Sequence, residues 1–431
     1  MRGSLVHALS GFGAAAWTPA SLTAGKALYW SGRTLASVAS ATNGTGALTG
    51  ADDTSKVAWL ADLSPSGKPL IQATSGSRPI VRASALGRGI AVHGDGAAAV
   101  LEAATTLAGV RHCWAAVTFR GDNAVRILGD EPANFVNGYQ CYVGGDAIAN
   151  PSSAILVGNV GTNDLLKTGN IAGTYYRNGS VASDVGRQRL RHVARFTRTA
   201  DMDAGRVRLL SYEGDQLWAQ GCVHEVFLGS SALDSTDIAN LDAYFAWHLA
   251  APVVACSVDS LTVGKNLAQN LAWPHLLWRD RWGGCVSVPN LGIAGQTITT
   301  AISGDPAKLA ACKGTGKNIL VLLAGANDIL NGETAVGVWP EIAAYIAARV
   351  AEGWIVVVCS VPSGSGYTGP QQAELSTLRG LISGGYVAAG AAAYVDLFSL
   401  PLTLQGDGIH FTSGDCTTVA NAIGPAVDAL L

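Results

Sequence analysis

The sequence is poor in charged residues. Lys, Arg, Asp and Glu together make up 14% of the 431 residues, and the formal net charge is -3. The chain has no long run of one charge sign, so we expect no nucleic-acid partner. Hydrophobic residues make up 48% of the chain, which is enough for sizeable cores and argues against disorder.

Long hydrophobic runs are also missing. The longest candidates, such as WIVVVCSV at 354–361, have the length of a strand, whereas a membrane span needs roughly 18–20 apolar residues. We therefore expect no membrane span. The start, MRGSLVHALSGFG, lacks the apolar core of an export signal, and MRGS resembles an expression-vector leader. The sequence thus leaves the localisation open.

The cysteines do not have the spacing of a metal site. None of the eight forms a C-x-x-C pair or a Cys/His zinc pattern, and the histidines are scattered. Cys256 in VVACSV and Cys359 in IVVVCSV lie inside apolar runs, which is typical of buried free thiols. We therefore expect no metal, no cofactor and no disulfide framework, and a cytoplasmic or virion setting is favoured over secretion.

The first half of the chain, residues 5–250, has the pattern of an all-β domain. Short alternating or β-branched runs are separated by Gly, Asn, Asp and Ser, and a helical segment follows at 230–250. The runs include CWAAVTF (113–119), AVRILG (124–129), RHVARFT (191–197) and HEVFLG (224–229). This spacing predicts a sandwich of antiparallel strands.

The second half, residues 251–431, alternates strands with helices. Its strands are apolar throughout, which is typical of a parallel sheet covered on both faces. They are VVACSV (253–258), CVSVP (285–289), NILVLLAG (318–325), WIVVVCSVP (354–362) and AAYVDL (392–397). Right-handed crossovers then predict a three-layer, doubly wound α/β domain of the flavodoxin-like kind, with the domain boundary near residue 250.

Four polar segments follow or lie beyond these strands, at the edge where open parallel sheets bind ligands. Ser260 follows the first strand, NLGIAGQT (290–297) the second and GAND (325–328) the third, while GDGIH (406–410) precedes the last helix. Because carboxyl ends of parallel strands meet at one edge, a single site can be built from all four segments.

Ester hydrolysis needs a nucleophile, a base, an orienting carboxylate and donors for the oxyanion. Asp407 and His410 are three residues apart, and on a helical turn this spacing places both side chains on one side. The carboxylate can then hold the imidazole in one tautomer. The backbone N–H groups of Ser260 and Gly295 and the Asn327 amide are candidate oxyanion donors.

The four blocks V-D-S-L-T, N-L-G-I-A-G, G-A-N-D and D-G-I-H resemble, in kind and in order, those of the SGNH (GDSL-type) hydrolase superfamily. The resemblance covers about residues 253–431. It implies that Ser260 is the nucleophile, His410 the base and Asp407 its orienter. It also implies an oxyanion hole formed by Ser260, Gly295 and Asn327.

The sequence departs from this family pattern at two positions. Val258 stands where the family has glycine, and Phe411 where many members have proline. Valine is comfortable in extended backbone and strained only at positive φ. We therefore expect that both changes are tolerated.

The first half resembles concanavalin A-like or laminin-G-like jelly-roll modules, and such a pairing resembles surface-polysaccharide enzymes of phages or bacteria. Trp17, Trp30, Tyr139 and Tyr175 could stack on sugars, although core positions are the commoner role of such residues.

The leading interpretation is a serine esterase that cleaves short-chain acyl esters, with an acetylated polysaccharide as the candidate substrate. Two alternatives stay open. One is a carbohydrate-binding or virion attachment protein with an inactive hydrolase half, and the other is a lipid-type esterase or thioesterase. The sequence does not predict the oligomeric state.

Overall fold

A computed structural model of the chain describes residues 220–268 and 271–431, together with shorter stretches before them. These are residues 18–22, 24–31, 38–40, 44, 46, 48, 55–64, 67, 69–83, 90–95, 101–103, 107–119, 140–144, 154–157, 173–181, 190–204, 206–209, 211–212 and 217–218. The predicted run AVRILG (124–129), Trp17, Tyr139 and the side chain of Tyr175 lie outside the described residues.

The chain forms two compact units. The first comprises residues 1–249 with 282–285, and the second comprises residues 250–281 with 286–431. In the part of the chain that the structure describes, no helix is long and apolar enough to cross a membrane.

Two large antiparallel sheets make up most of the described first unit. In spatial order, the larger sheet contains Ser180–Val181, Gly173–Arg177, Arg191–Ala204, Leu107–Phe119, Gln220–Ser230, Ile90–Asp95 and Ile80–Ala83, with Lys26–Ser31 also paired to Gln220–Ser230. The other contains Ala154–Val157, Gln140–Gly144, Arg206–Leu209, Leu101–Ala103, Leu70–Ile71, Trp59–Leu60 and Val38–Ala39. A short hairpin joins Ser211–Tyr212 to Leu217–Trp218. The jelly-roll assignment stays a prediction.

One helix of the first unit, Ser235–Ala246, packs on the larger sheet. Asp234 caps its start by accepting hydrogen bonds from the Thr236 and Asp237 N–H groups. The buried side chains Leu241 and Phe245 join a hydrophobic cluster with sheet residues that include Trp114 and Phe227. Trp30 in the same unit is also buried, at 1% exposure, so this candidate sugar-stacking residue belongs to the core.

A parallel sheet forms the centre of the second unit. Its strands lie in the order β1 (Val253–Val258), β2 (Asn318–Leu323), β3 (Ile355–Cys359) and β4 (Ala393–Val395). Every residue of β1 and β2 is buried, as expected for strands that are apolar throughout and covered on both faces.

The predicted strand at 285–289 is only partly right. Residues 287–293 run parallel to β1 through isolated bridges and do not form a regular strand. The Val254 N–H donates to the Ser287 carbonyl at 2.8 Å, and the Ile293 N–H to the Val258 carbonyl at 2.9 Å. Pro289 has no N–H to offer a ladder, which accounts for the irregular pairing. With this segment, the neighbours follow the order 2-1-3-4-5 of doubly wound flavodoxin-like sheets.

Seven helices connect and flank these strands. They are α1 (Ser260–Val263), α2 (Trp273–Leu276, continued by a π-helical turn Leu277–Arg281), α3 (Ile298–Cys312), α4 (Ala326–Leu330), α5 (Ala335–Ala351), α6 (Gly369–Gly385) and α7 (Ser413–Asp428), counted over residues 250–268 and 271–431. Helix α3 has no counterpart in the sequence prediction. It contains Gly304 and Pro306, which weaken the helical pattern, and a Thr297–Thr300 capping box starts it.

Seven of the described cysteines, Cys113, Cys222, Cys256, Cys285, Cys312, Cys359 and Cys416, are buried and lie outside any disulfide. The prediction that the cysteines are buried thiols is confirmed for these seven.

Candidate active site

Strand β1 ends immediately before Ser260. Val258 is the last residue of the strand, is fully buried, and lies in extended backbone paired with Leu323, so the valine is accommodated without left-handed strain. Asp259 caps α1, because its carboxylate accepts a hydrogen bond from the Leu261 N–H at 2.9 Å. The cap fixes the direction in which the chain leaves the strand, and Ser260 occupies the first helical position.

A continuous chain of hydrogen bonds joins Ser260, His410 and Asp407. The Nε2 atom of His410 lies 2.9 Å from Ser260 Oγ, and its Nδ1 atom lies 2.6 Å from Asp407 Oδ2. Ser260 and His410 are buried, with 6% and 7% exposure. The structure thus brings together three candidate residues that are up to 150 positions apart in the sequence.

The protonation of Asp407 decides the tautomer of the histidine. Partial burial tends to raise the pKa of this carboxyl, but hydrogen bonds from the His410 N–H, the imidazole and the Ile409 N–H lower the pKa more strongly, to well below its ordinary value. An ionised carboxylate only accepts hydrogen bonds. In the neutral imidazole, Nδ1 therefore holds the proton, and Nε2 is free to accept the hydroxyl hydrogen of Ser260.

The Asp407–His410 segment is a turn and not the helical turn that the three-residue spacing suggested. Asp407 Oδ1 accepts hydrogen bonds from the backbone N–H groups of Ile409 and His410, both at 3.0 Å. Gly408 between them has a φ of 67°, in the left-handed region that favours glycine. Side-chain capping of this kind competes with helix formation, so the expected contact arises in a different backbone conformation.

The stretch Ser363–Gly366 supports this turn and was missed by the sequence interpretation. The Gly366 N–H donates to the Gly408 carbonyl at 3.0 Å. A Cβ atom on Gly364 would overlap the Gly408 carbonyl oxygen, and one on Gly366 would overlap that of Asp407. Glycine at alternate positions in the loop that follows β3 is the signal that could have indicated this close backbone contact.

Gln405 ties the same turn to the loop after α1. Its backbone N–H donates to the His410 carbonyl at 2.7 Å. Its side-chain amide donates to the Phe411 carbonyl at 2.7 Å and to the Lys265 carbonyl at 3.0 Å. Gln405 thus holds the backbone of His410 and of the next residue, Phe411, whose side chain is buried.

The loop that contains Gly295 packs against the backbone of α1. A Cβ atom on Gly292 would lie 2.5 Å from the Val263 nitrogen and 2.7 Å from the Asp259 oxygen, so only glycine permits this approach. Gly295 is exposed and has a φ of 79°. The Asn327 amide donates to the Gln296 carbonyl at 2.9 Å, which places α4 beside the same loop.

The Ser260 backbone N–H belongs to the first turn of α1, where helical geometry provides no partner. The N–H groups of Thr262 and Val263 both donate to the Asp259 carbonyl, and that of Leu261 to the Asp259 side chain. None of these three bonds uses the Ser260 N–H, which stays a candidate oxyanion donor. Of the candidate donors, Ser260 begins α1 and Gly295 lies in the loop at 292–297, which packs on α1. Asn327 in α4 donates to the same loop.

Two buried carboxyl groups lie beside the site. Burial raises the pKa of Asp259 to about 7 against the lowering effect of the Leu261 N–H, and the charge of Asp328 raises it further. Burial raises the pKa of Asp328 to about 6, although its carboxylate accepts a hydrogen bond from the Ile298 N–H at 3.0 Å. Asp328 therefore anchors the start of α3, directly after the Gly295 loop.

Within the residues that the structure describes, no group of three or more His, Cys, Asp and Glu side chains is placed to hold a metal ion.

No family model matches the chain, and no curated protein matches it. Several solved structures are similar to the chain over about two-fifths of its length. A G-D-S-L family lipolytic protein from Veillonella parvula is 15% identical, covering 40% of this chain and 96% of its own, with a TM-score of 0.35. A carbohydrate acetylesterase family member from Sinorhizobium meliloti is 19% identical, covering 42% and 99%, with a TM-score of 0.36.

A psychrotrophic esterase from Pseudoalteromonas is 17% identical, covering 41% of this chain and 97% of its own, with a TM-score of 0.35. Similarity at this level of identity and TM-score assigns neither an activity nor a substrate to this chain.

Proposed function

We propose that the second unit is a serine esterase of the SGNH type that hydrolyses short-chain acyl esters. The observation that supports this most strongly is the hydrogen-bonded chain from Ser260 Oγ through both ring nitrogens of His410 to the Asp407 carboxylate. A hydroxyl, an imidazole and an ionised carboxylate in this order form the arrangement that activates a serine for acyl transfer.

In the acylation step, Ser260 Oγ attacks the ester carbonyl carbon while His410 Nε2 takes the hydroxyl proton. The carbonyl electron pair moves to oxygen, and the Asp407 carboxylate stabilises the imidazolium. When the tetrahedral intermediate collapses, the bond to the alkoxy oxygen breaks, and His410 gives its proton to that oxygen. The products are the free alcohol and an acyl–Ser260 ester.

The oxyanion of this intermediate needs hydrogen-bond donors that are already in place. The Ser260 backbone N–H, the Gly295 N–H and the Asn327 side-chain amide are the candidates. Only one N–H of the Asn327 amide is needed for the Gln296 carbonyl, which leaves the other for the substrate.

Deacylation repeats the chemistry with water. His410 Nε2 removes a proton from water as the water oxygen attacks the acyl carbon. Collapse of the second intermediate breaks the bond to Ser260 Oγ, which recovers its proton from His410. The carboxylic acid leaves, and the starting hydrogen-bond arrangement is restored.

The substrate class that we propose is an acetyl ester on a polysaccharide. The basis is the strand-rich first unit, whose sequence resembles lectin-like modules. The test is a panel of p-nitrophenyl esters from C2 to C12 together with an acetylated polysaccharide, using the full chain and Ser260→Ala. Highest turnover on C2 esters and on the polysaccharide, abolished by Ser260→Ala, supports the proposal.

Other outcomes of this panel would contradict the proposal. A preference for C8 to C12 esters would replace it with a lipid-type esterase. Glycan binding without turnover of any ester would indicate a binding protein, and equal rates for Ser260→Ala would remove the serine from the mechanism.

A further inference from the structure

Gln296 connects the loop at 292–297 to two other segments of the second unit, α3 and α4. Its backbone N–H donates to the Ile293 carbonyl at 3.1 Å, and its carbonyl accepts a hydrogen bond from the Asn327 side-chain amide. Its side-chain Nε2 donates to Asp305 Oδ1 at 3.0 Å, and the side chain is buried, at 7% exposure. One residue thus holds both the peptide next to Gly295 and the side chain of Asn327.

Asp305, the side-chain partner of Gln296, is the centre of a buried network. Its carboxylate is fully buried and accepts a hydrogen bond from Ser257 in β1 at 2.6 Å and from Tyr345 in α5 at 3.2 Å. Lys308 donates to it at 3.2 Å. With Gln296, four donors from β1, α3, α5 and the loop meet at one carboxylate, so the Asp305 position is fixed from several sides.

The side-chain amide of Gln296 makes only part of the hydrogen bonds that it could make. Its nitrogen faces Asp305, because a carboxylate can only accept, and its Oε1 atom is buried without a hydrogen-bond partner among the described residues. An unpaired buried oxygen is unfavourable for stability. Stability alone therefore does not account for a glutamine at this position.

We propose that Gln296 is a positioning residue for the oxyanion hole, holding the Gly295 N–H and the Asn327 amide in place through its bond to Asp305. This inference rests on the proposed esterase function. It follows because Gly295 immediately precedes Gln296 and Asn327 donates to the Gln296 carbonyl, so any displacement of the Gln296 peptide moves both donors together.

Gln296→Met tests the proposal, with Asn318→Leu as a matched control. Methionine removes the bond to Asp305 and the unpaired oxygen together, so we expect little change in stability. The kcat for p-nitrophenyl acetate should fall about tenfold to a hundredfold, since displaced oxyanion donors lose transition-state stabilisation. The KM should change less than about threefold, because the ground-state ester places little charge on its oxygen.

Asn318 is also a buried amide, at 8% exposure, but it lies at the start of β2, where it bonds the Gly314 and Gly316 backbone. Asn318→Leu removes three satisfied hydrogen bonds. Asn318 pairs with Val253 at the start of β1, whereas Ser260 follows the end of that strand. We expect it to lower the unfolding temperature and to leave kcat unchanged. Gln296→Met should therefore lose turnover with little change in stability, whereas Asn318→Leu should lose stability with little change in turnover.

A carboxyl introduced at position 296 tests the hydrogen bond between Gln296 and Asp305. Gln296→Glu places a second carboxyl against Asp305, with Lys308 and Tyr345 the other titratable groups on that carboxylate. Two facing carboxyls retain one shared proton to higher pH. The ratio of kcat for Gln296→Glu to that of the parent should therefore fall as the pH rises. The double variant Gln296→Glu/Asp305→Asn reverses donor and acceptor between these two residues and keeps one oxygen for Ser257 and Tyr345, while Lys308 loses its acceptor. It should recover part of the activity and lose this pH dependence.

The outcomes separate the two proposals. If Ser260→Ala is inactive and the Gln296 variants turn over like the parent, the positioning role is wrong and the esterase stands. If Ser260→Ala keeps parental activity, the esterase mechanism itself is wrong. Equal loss of kcat in Gln296→Met and Asn318→Leu would also overturn the positioning role, because it would reflect general destabilisation.

Discussion

Replacement of Gly408 by alanine tests whether the turn at Asp407–His410 sets the geometry of the site. Gly408 has a φ of 67°, and a Cβ atom there would overlap the Gly366 nitrogen and stand 2.9 Å from the Ser365 carbonyl carbon. Either the stretch Ser363–Gly366 or the turn must therefore move. Because Asp407 and His410 are anchored to this same turn, movement would lengthen their contacts with each other or with Ser260.

The size of the effect follows from two contributions. A left-handed conformation costs an alanine about 1–2 kcal/mol. Relief of the overlap needs a separation of the two backbones by roughly 1 Å, in a region where backbone packs on backbone. We expect a loss of about 2–3 kcal/mol in the free energy of unfolding, or about 5–10 °C in the unfolding temperature. A misplacement of about 1 Å should lower kcat/KM about a hundredfold.

The assay is p-nitrophenyl acetate hydrolysis, with thermal unfolding followed in parallel. Gly406→Ala is the control, since Gly406 lies two residues away, has no positive φ, and would meet no atom within 4 Å of an added Cβ. It should resemble the parent protein in both measurements. Parental kcat/KM in Gly408→Ala would refute the dependence of the site on this turn.

Three further predictions concern single side chains. Asp407→Asn should lower kcat by about 10²–10³-fold. This is less than the roughly 10⁴-fold loss typical of a buried orienting carboxylate, because the Asp407 side chain is 41% exposed. A change under threefold would contradict its role. Asn327→Ala should lower kcat about 10²–10³-fold in the same assay, and retained turnover would exclude it as an oxyanion donor. Asp259 has a folded pKa of about 7, above its ordinary 3.8, so the folded state binds the extra proton between these values, and its contribution to stability is lost as the pH rises from 4 through 7. Asp259→Asn should remove about 3 kcal/mol of this pH dependence between pH 4.5 and 7.5, measured by calorimetry, and an unchanged profile would refute the assignment.

The sequence was informative wherever parallel-sheet topology does the positioning. Ser260 and Asn327 follow apolar strands, and neighbouring parallel strands end at one edge, so their proximity could be expected from the sequence. The same reasoning placed His410 near Ser260, because its segment lies between the last strand and the last helix. Buried strands such as β1 and β2 were also predictable, because they are apolar throughout.

The parts that could not be predicted depend on contacts between distant segments. The bond between Gln296 and Asp305 joins a loop to a helix whose pattern is obscured by Gly304 and Pro306. The backbone contact of Gly366 with Gly408 follows from the exact spacing of two loops, which no local pattern specifies. The conformation of the Asp407 turn depended on competition between side-chain capping and a helical turn, and the capping bonds formed.

The most direct test of the central claim is covalent labelling of the serine. A p-nitrophenyl phosphonate ester should be attacked by Ser260 Oγ with loss of p-nitrophenol, leaving a stable phosphonyl adduct that peptide mass spectrometry can locate. We predict one adduct, on Ser260, formed in step with the loss of esterase activity and much more slowly in His410→Ala. An adduct on another residue, or full esterase activity with Ser260 completely labelled, would contradict the account.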